Sequence, residues 1–200
     1  MFFIGLGIKI PVWPFSFWIT KTHVEVNTSF SIFLSGILVK IAIIALNKFF
    51  FIFSDNYNFF FTTIIIISII DSSVKIINQV DFKKTIAYLT VQEMNILTFF
   101  LISKNFTNFD IFVFLIQTHV YLTVLLFFLN HCIYKRYNSR QLSTMQGIIN
   151  SSPKLGIIII ITTFLLIGFP LTIKFFIEFL FFFKFFNFNS FFFLIIIIFV

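Results

Sequence analysis

The sequence predicts an all-α, polytopic membrane protein whose helix bundle contains two discontinuous helices. Three observations carry this. Apolar residues make up 60% of the 200 and charged residues only 10%, with a mean hydropathy of +1.07, more apolar surface than a soluble domain of this size can hide. Runs such as "FFFTTIIIISII" and "LGIIIIITTFLLIGF" suit a hydrocarbon core that takes about 20 residues of helix to cross. Two of the apolar segments are interrupted, one by Lys9, Pro11 and Pro14 and the other by Pro170, and a proline removes a backbone donor that a helix in lipid needs.

Taken in order, the first segment covers about residues 2–20 and is interrupted near 9–14. It has no basic leader before its apolar run and is not read as a cleavable signal peptide. Further segments fall at roughly 29–47, 58–78, 85–103, 109–134 and 155–183. The apolar stretch 191–200, "FFFLIIIIFV", is too short to cross alone. The chain is therefore expected to form a single transmembrane domain over 1–200, about six helices plus a short C-terminal apolar segment. Lys21, Lys83, Lys84, Lys135, Arg136, Arg140 and Lys154 collect on one side, against Lys48, Lys104 and Lys184 on the other. The positive-inside rule makes the first side the cytoplasm or, in a mitochondrion, the matrix. Trp13 and Trp18 are expected at that interface.

Composition also excludes. The single cysteine, Cys132, cannot form an internal disulfide, and no Cys/His spacing suggests a metal or iron–sulfur site. There is no glycine-rich phosphate loop or dinucleotide fingerprint, so no cofactor is expected on this chain. The net charge of +7 resides at helix ends and is explained by topology, not by nucleic acid. The 37 phenylalanines accompany abundant Ile, Asn and Lys, residues with AT-rich codons, and are read as lipid-facing and interhelical filler.

The chemistry lies in the polar residues left at membrane depth: Lys9, Lys40, Asp71, Lys75, Glu93, His119, Lys174 and Glu178. Ionisable groups in a bilayer pair, face a wet cavity, or mark an ion route. Lys9 stands at a helix break, where freed carbonyls and water can solvate an ammonium. Lys40 lies mid-helix in "LSGILVKIAIIAL" beside Ser35 and Gly36, small residues that admit close packing and hydration. Glu178 follows the second break, "IGFPLTIKFFIEF", and two broken helices with ionisable residues mark transporters built from repeats. Lys174 is one turn before Glu178, as a relay element or as a neutralising partner. His119 can exchange protons near neutral pH or simply be hydrogen-bonded. Glu93 is either functional or a lysine's partner. Asp71 and Lys75 read as a self-neutralising pair, His131 as interfacial, and His23 and Glu25 as loop contacts.

These residues occur in stretches that resemble a known family. "IKIPVWPFSFWITKTHVEVNTSFSIFLSGILVKIA", "QVDFKKTIAYLTVQEMN", "QTHVYLTVLLFFLNHCIYKRYNSRQLSTMQGII" and "LIGFPLTIKFFIEFL" are similar, in this order, to the NADH–ubiquinone oxidoreductase chain 4 family. Its members are antiporter-like, proton-pumping subunits of respiratory complex I in the mitochondrial inner membrane. "HVEV" favours chain 4 over the related chains 2 and 5.

The resemblance implies an antiporter-like bundle in which Lys9, Lys40, His119 and Glu178 form a proton relay, with Glu93 and Lys174 secondary. It implies a subunit of the proton-translocating NADH:ubiquinone reductase, driven by redox chemistry elsewhere, with no quinone, flavin or metal on this chain. Its partners would be other membrane-arm subunits and lipid, and no nucleic acid. Only eight residues precede Lys9, where the family has a run of helices carrying a glutamate that pairs with the matching lysine. This implies either a subunit split over two chains, a separate one carrying the N-terminal helices, or a truncated copy that has lost an input path. Further departures are Glu93 where histidine is usual, Ser16 for another histidine, and Ile173 and Ile177 for glycines. The alternatives are a structural, non-conducting membrane subunit and a cation/proton antiporter subunit.

Overall fold

Regular structure among the described residues is helical, apart from an isolated antiparallel bridge between Asp81 and Gln141. The computed structural model describes residues 2–50, 58–102 and 109–186; Lys104 and the 191–200 stretch lie outside them.

The first apolar segment forms two helices, α1 (Phe2–Lys9) and α2 (Phe17–Glu25). Its break is closed by hydrogen bonds that replace the missing helical ones. The Trp18 indole N–H donates to the Ile8 carbonyl at 2.8 Å, and the Trp13 amide donates to Ser68 Oγ at 3.1 Å. In lipid every freed backbone group needs such a partner. Trp18 thus helps to close the break through its indole N–H.

Next comes one long helix built of α3 (Thr28–Phe33), a widened π-type turn (Leu34–Leu38) and α4 (Val39–Phe50). Then follow α5 (Asn58–Ile77), α6 (Phe82–Ile102) and α7 (Phe109–Tyr137). Four stretches among the described residues are long and apolar enough to cross a membrane: Thr28–Lys48, Phe60–Ile77, Phe82–Ile102 and Ile111–Tyr137. Of these, α6 is the most enclosed and packs against α2, α4, α5 and α7. Ile43, Ile69, Met94, Leu97 and Phe112 lie in the core around it.

After α7 the chain passes through a 3-10 turn (Leu142–Met145) and the short α8 (Ile148–Ser151). The last segment is again divided, into α9 (Pro153–Ile167) and α10 (Ile173–Phe186). Pro153 opens α9, where its missing N–H costs nothing, and Gly168 closes it with a left-handed φ of 72°, a conformation that favours glycine. Thr172 starts α10, its Oγ1 accepting the Phe175 amide at 3.2 Å as an N-cap side chain does.

One end of the bundle is tied together by its basic residues. Lys83 Nζ donates to the Val26 carbonyl at 2.5 Å, and Arg140 donates to the Val24 carbonyl at 3.0 Å while lying over the Tyr134 ring. The Phe82 amide donates to the Arg140 carbonyl at 2.9 Å. Thr28 Oγ1 and His131 Nδ1 meet at 3.2 Å. Loops that the charge bias assigns to one side thus meet at one end. Asp71 and Lys75 pair along α5 at 2.5 Å.

Candidate functional site

Lys40 lies in the first turn of the α4 portion of the long helix and is only 4% exposed. Its ammonium donates to the carbonyl of Ser35 in the widened turn. A π-type turn displaces carbonyls from the ordinary ladder, and here one of them solvates a buried charge. Gly36, in the same turn, lies against Val120 and Val124 of α7, so the absent side chain brings Lys40's helix close to the helix that carries His119.

His119 is 5% exposed, and its Nδ1 has no hydrogen-bond partner among the described residues. It lies within electrostatic reach of Lys40 and Lys174. Lys40 in turn is within reach of Glu93. One turn after His119 is Thr123, and two turns further is Asn130; both are buried and lie on the same face of α7. The Asn130 amide has no partner among the described residues.

The second break supplies the acidic end. Lys174 Nζ is 2.6 Å from Glu93 Oε1 and 3.3 Å from Glu178 Oε1, and it donates to the Leu166 carbonyl at 2.7 Å. Leu166 is in the last turn of α9, whose carbonyls have no helical donor, so the lysine bonds across the break. The three side chains are 11%, 19% and 21% exposed for Lys174, Glu93 and Glu178. They line a cavity of about 470 Å³ between α5, α6, α9 and α10, together with Ser73 and Gln92.

The structure thus joins Glu93, Lys174 and Glu178 in one ion-paired group and sets buried Lys40 and His119 within electrostatic reach of it. Lys9 is not in it: it ends α1 and is exposed, with no ion pair among the described residues. Three further buried polar residues, His23, Lys83 and Asn130, have surroundings that the sequence expectations did not give. His23 is buried and stacks on Phe127, with ring centroids 4.9 Å apart. The expectation of a loop contact fails because α2 continues through His23 to Glu25 and packs against α6. Lys83, expected only as a topological charge, is 1% exposed and anchors the loop at Val26. Asn130 was not singled out at all. Among the described residues, no group of three or more His, Cys, Asp or Glu side chains could hold a metal ion.

Two divided helices with ionisable groups, flanking a continuous helix that buries a lysine, define a transporter-type bundle and not a membrane anchor. The chain belongs to the NADH:quinone oxidoreductase/Mrp antiporter transmembrane family, whose model matches residues 1–200. It is 39% identical over 181 residues to NADH-ubiquinone oxidoreductase chain 4 of Paramecium tetraurelia, covering 90% of this chain and 38% of that protein. It is 34% identical to the chain 4 protein of Acanthamoeba castellanii, covering 90% and 37%. The chain thus spans little more than a third of the length of these relatives. A chain of respiratory complex I from Thermus thermophilus with bound NADH has the same fold, with a TM-score of 0.85 at 19% identity, over 99% of this chain and 43% of that one.

Proposed function

We propose that the chain is a proton-translocating part of the membrane arm of respiratory complex I, the NADH:ubiquinone oxidoreductase, in the mitochondrial inner membrane. The observation that carries this is the buried Lys40 ammonium, held by a displaced carbonyl and followed by His119 and the Lys174–Glu178 break. A fully buried ammonium without a carboxylate bonded to it is costly as mere structure. It is suited to a site that gains and loses a proton.

In this reading protons pass along Lys40, His119 and Glu178, each able to hold one proton and give it to the next through water. The unpartnered His119 Nδ1 and the Asn130 amide offer bonding positions for that water. The relay is driven by redox chemistry on other chains, and this one supplies no cofactor site. Lys9 belongs to the same relay through a partner beyond the described residues. An ammonium at membrane depth is not left facing lipid, and helices equivalent to the rest of the relatives' length, on this or a separate polypeptide, would supply a carboxylate. Other membrane-arm subunits are the remaining partners.

The chain 4 relatives favour this over the cation/proton antiporter reading that the family also covers. The test is a native gel of the source membranes, stained for NADH oxidation, with mass spectrometry of the active band. The chain is expected in that band. Migration apart from NADH-oxidising activity would remove it from complex I and leave the antiporter reading.

A further inference from the structure

The second break holds more charge than a relay acid requires. Two carboxylates, Glu93 from α6 and Glu178 from α10, share one ammonium, Lys174. The other groups facing them are Lys40 of α4, within electrostatic reach of Glu93, His119 of α7, within reach of Lys174, and Ser73 from α5 and Gln92 from α6, which line the cavity. Asp71 and Lys75 are spent on each other. Lys40 is bonded to the Ser35 carbonyl and to neither carboxylate, so within the contacting group two carboxylates and one ammonium leave one negative charge, and charge without a bonded partner at membrane depth is costly. One bound proton makes the group neutral.

We infer that Glu93 and Lys174 form a fixed ion pair that does not itself carry protons, and that it positions Glu178 as the one carboxyl of the three-residue group that does. This rests on the relay reading and assigns the two secondary residues a role within it. The contacts of Lys174 support the division. Its ammonium donates two short hydrogen bonds, to Glu93 at 2.6 Å and to the Leu166 carbonyl at 2.7 Å, which fix it to α6 and α9. Glu178 has the long contact at 3.3 Å. Its other oxygen, Oε2, lies so close to Gly168 that a Cβ there would stand 3.0 Å away. Glu178 is thus held against the break and beside the cavity, with the weakest claim on the cation. The exchange is simple: a Glu178 oxygen takes a proton from a hydrated proton in the cavity, forming one O–H bond, and returns it to water. The ammonium of Lys174 keeps its three protons throughout.

Glu93 stands where the resembling family has histidine, and it reaches across to a lysine on a different helix. Lys174 and Glu93 are positioning residues in this account, and Glu178 is the carrier.

The experiment is infrared difference spectroscopy of the assembled complex in its membrane at neutral pH, following the C=O stretch of a protonated carboxylic acid. Glu178→Gln identifies the Glu178 band by removing it. Glu93→Gln leaves Lys174 one carboxylate instead of two, so the Glu178 band is expected to disappear at unchanged pH. Lys174→Met leaves two carboxylates without a cation, so the band is expected to persist or grow. Lys174→Arg keeps the charge and should retain the wild-type band. Opposite responses to Glu93→Gln and Lys174→Met support the inference. A band unchanged in Glu93→Gln, or the same response to both variants, overturns it. If Lys174→Met fails to assemble, Glu93→Gln decides alone. The readout does not require pumping, so a failed relay reading is distinguishable: Lys40→Met would then leave proton translocation intact whatever the Glu178 band does.

Discussion

Substituting Gly168→Ala tests the second break at its tightest point. Gly168 ends α9 with φ at 72°, and placing an L-residue with a Cβ in that region costs roughly 1–2 kcal/mol. The same Cβ would stand 3.0 Å from Glu178 Oε2, inside the roughly 3.3–3.6 Å at which carbon and oxygen rest in contact. The carboxylate must therefore move by about 0.3 Å or more, away from a position that the Lys174 contact at 3.3 Å helps to define. The expected result is a complex destabilised by about 1–2 kcal/mol, seen as earlier thermal loss of this chain from the assembled band on a native gel. Proton translocation should fall further than NADH oxidation. Gly168→Asn separates the two effects, because asparagine tolerates the left-handed region better yet keeps the Cβ. It should recover stability but not coupling. An alanine variant as stable and as well coupled as the wild type would refute the reasoning on both counts.

Trp18→Phe removes the indole donor to the Ile8 carbonyl, and a carbonyl left without a partner in hydrocarbon is costly. Lower thermal stability of the assembled band is expected, and Trp18→His should restore part of it if its ring N–H reaches the same carbonyl. Lys83→Met removes the charged donor to the Val26 carbonyl, a bond class worth about 1.5–3 kcal/mol. It should open the adjoining loop to limited proteolysis and leave the proton-to-electron ratio of the surviving complex unchanged. Gly36→Leu drives a side chain toward Val120 and Val124 of α7, and overpacking of this kind costs about 1–3 kcal/mol. It should weaken assembly and reduce proton translocation together, because it separates Lys40's helix from His119's.

Much of this arrangement is legible in the sequence because the bilayer imposes simple rules. Pro11, Pro14 and Pro170 mark breaks that the backbone follows, and the apolar lengths separate the spans. Lys40 beside Ser35 and Gly36 signals a hydrated or closely packed turn, although a π-type turn as such has no residue signature there. What stays hidden depends on distant partners. His23 looks like a loop residue because it follows Lys21, yet its surroundings are set by Phe127 on α7. Lys83 counts toward the charge bias as any lysine does, and only the position of Val26 makes it an anchor. Lys174 and Glu178 announce themselves as an i, i+4 pair. The shorter contact, to Glu93 on another helix, is set by how α6 and α10 meet. No local pattern encodes that meeting.

The central claim is that Lys40 passes protons, and its most direct test is Lys40→Met in the assembled complex. NADH oxidation and proton uptake are to be recorded together in sealed membranes. The methionine has similar length and no charge, so assembly is expected to survive while the number of protons moved per NADH falls. An unchanged ratio with full assembly would contradict the account and leave the buried lysine as structure alone.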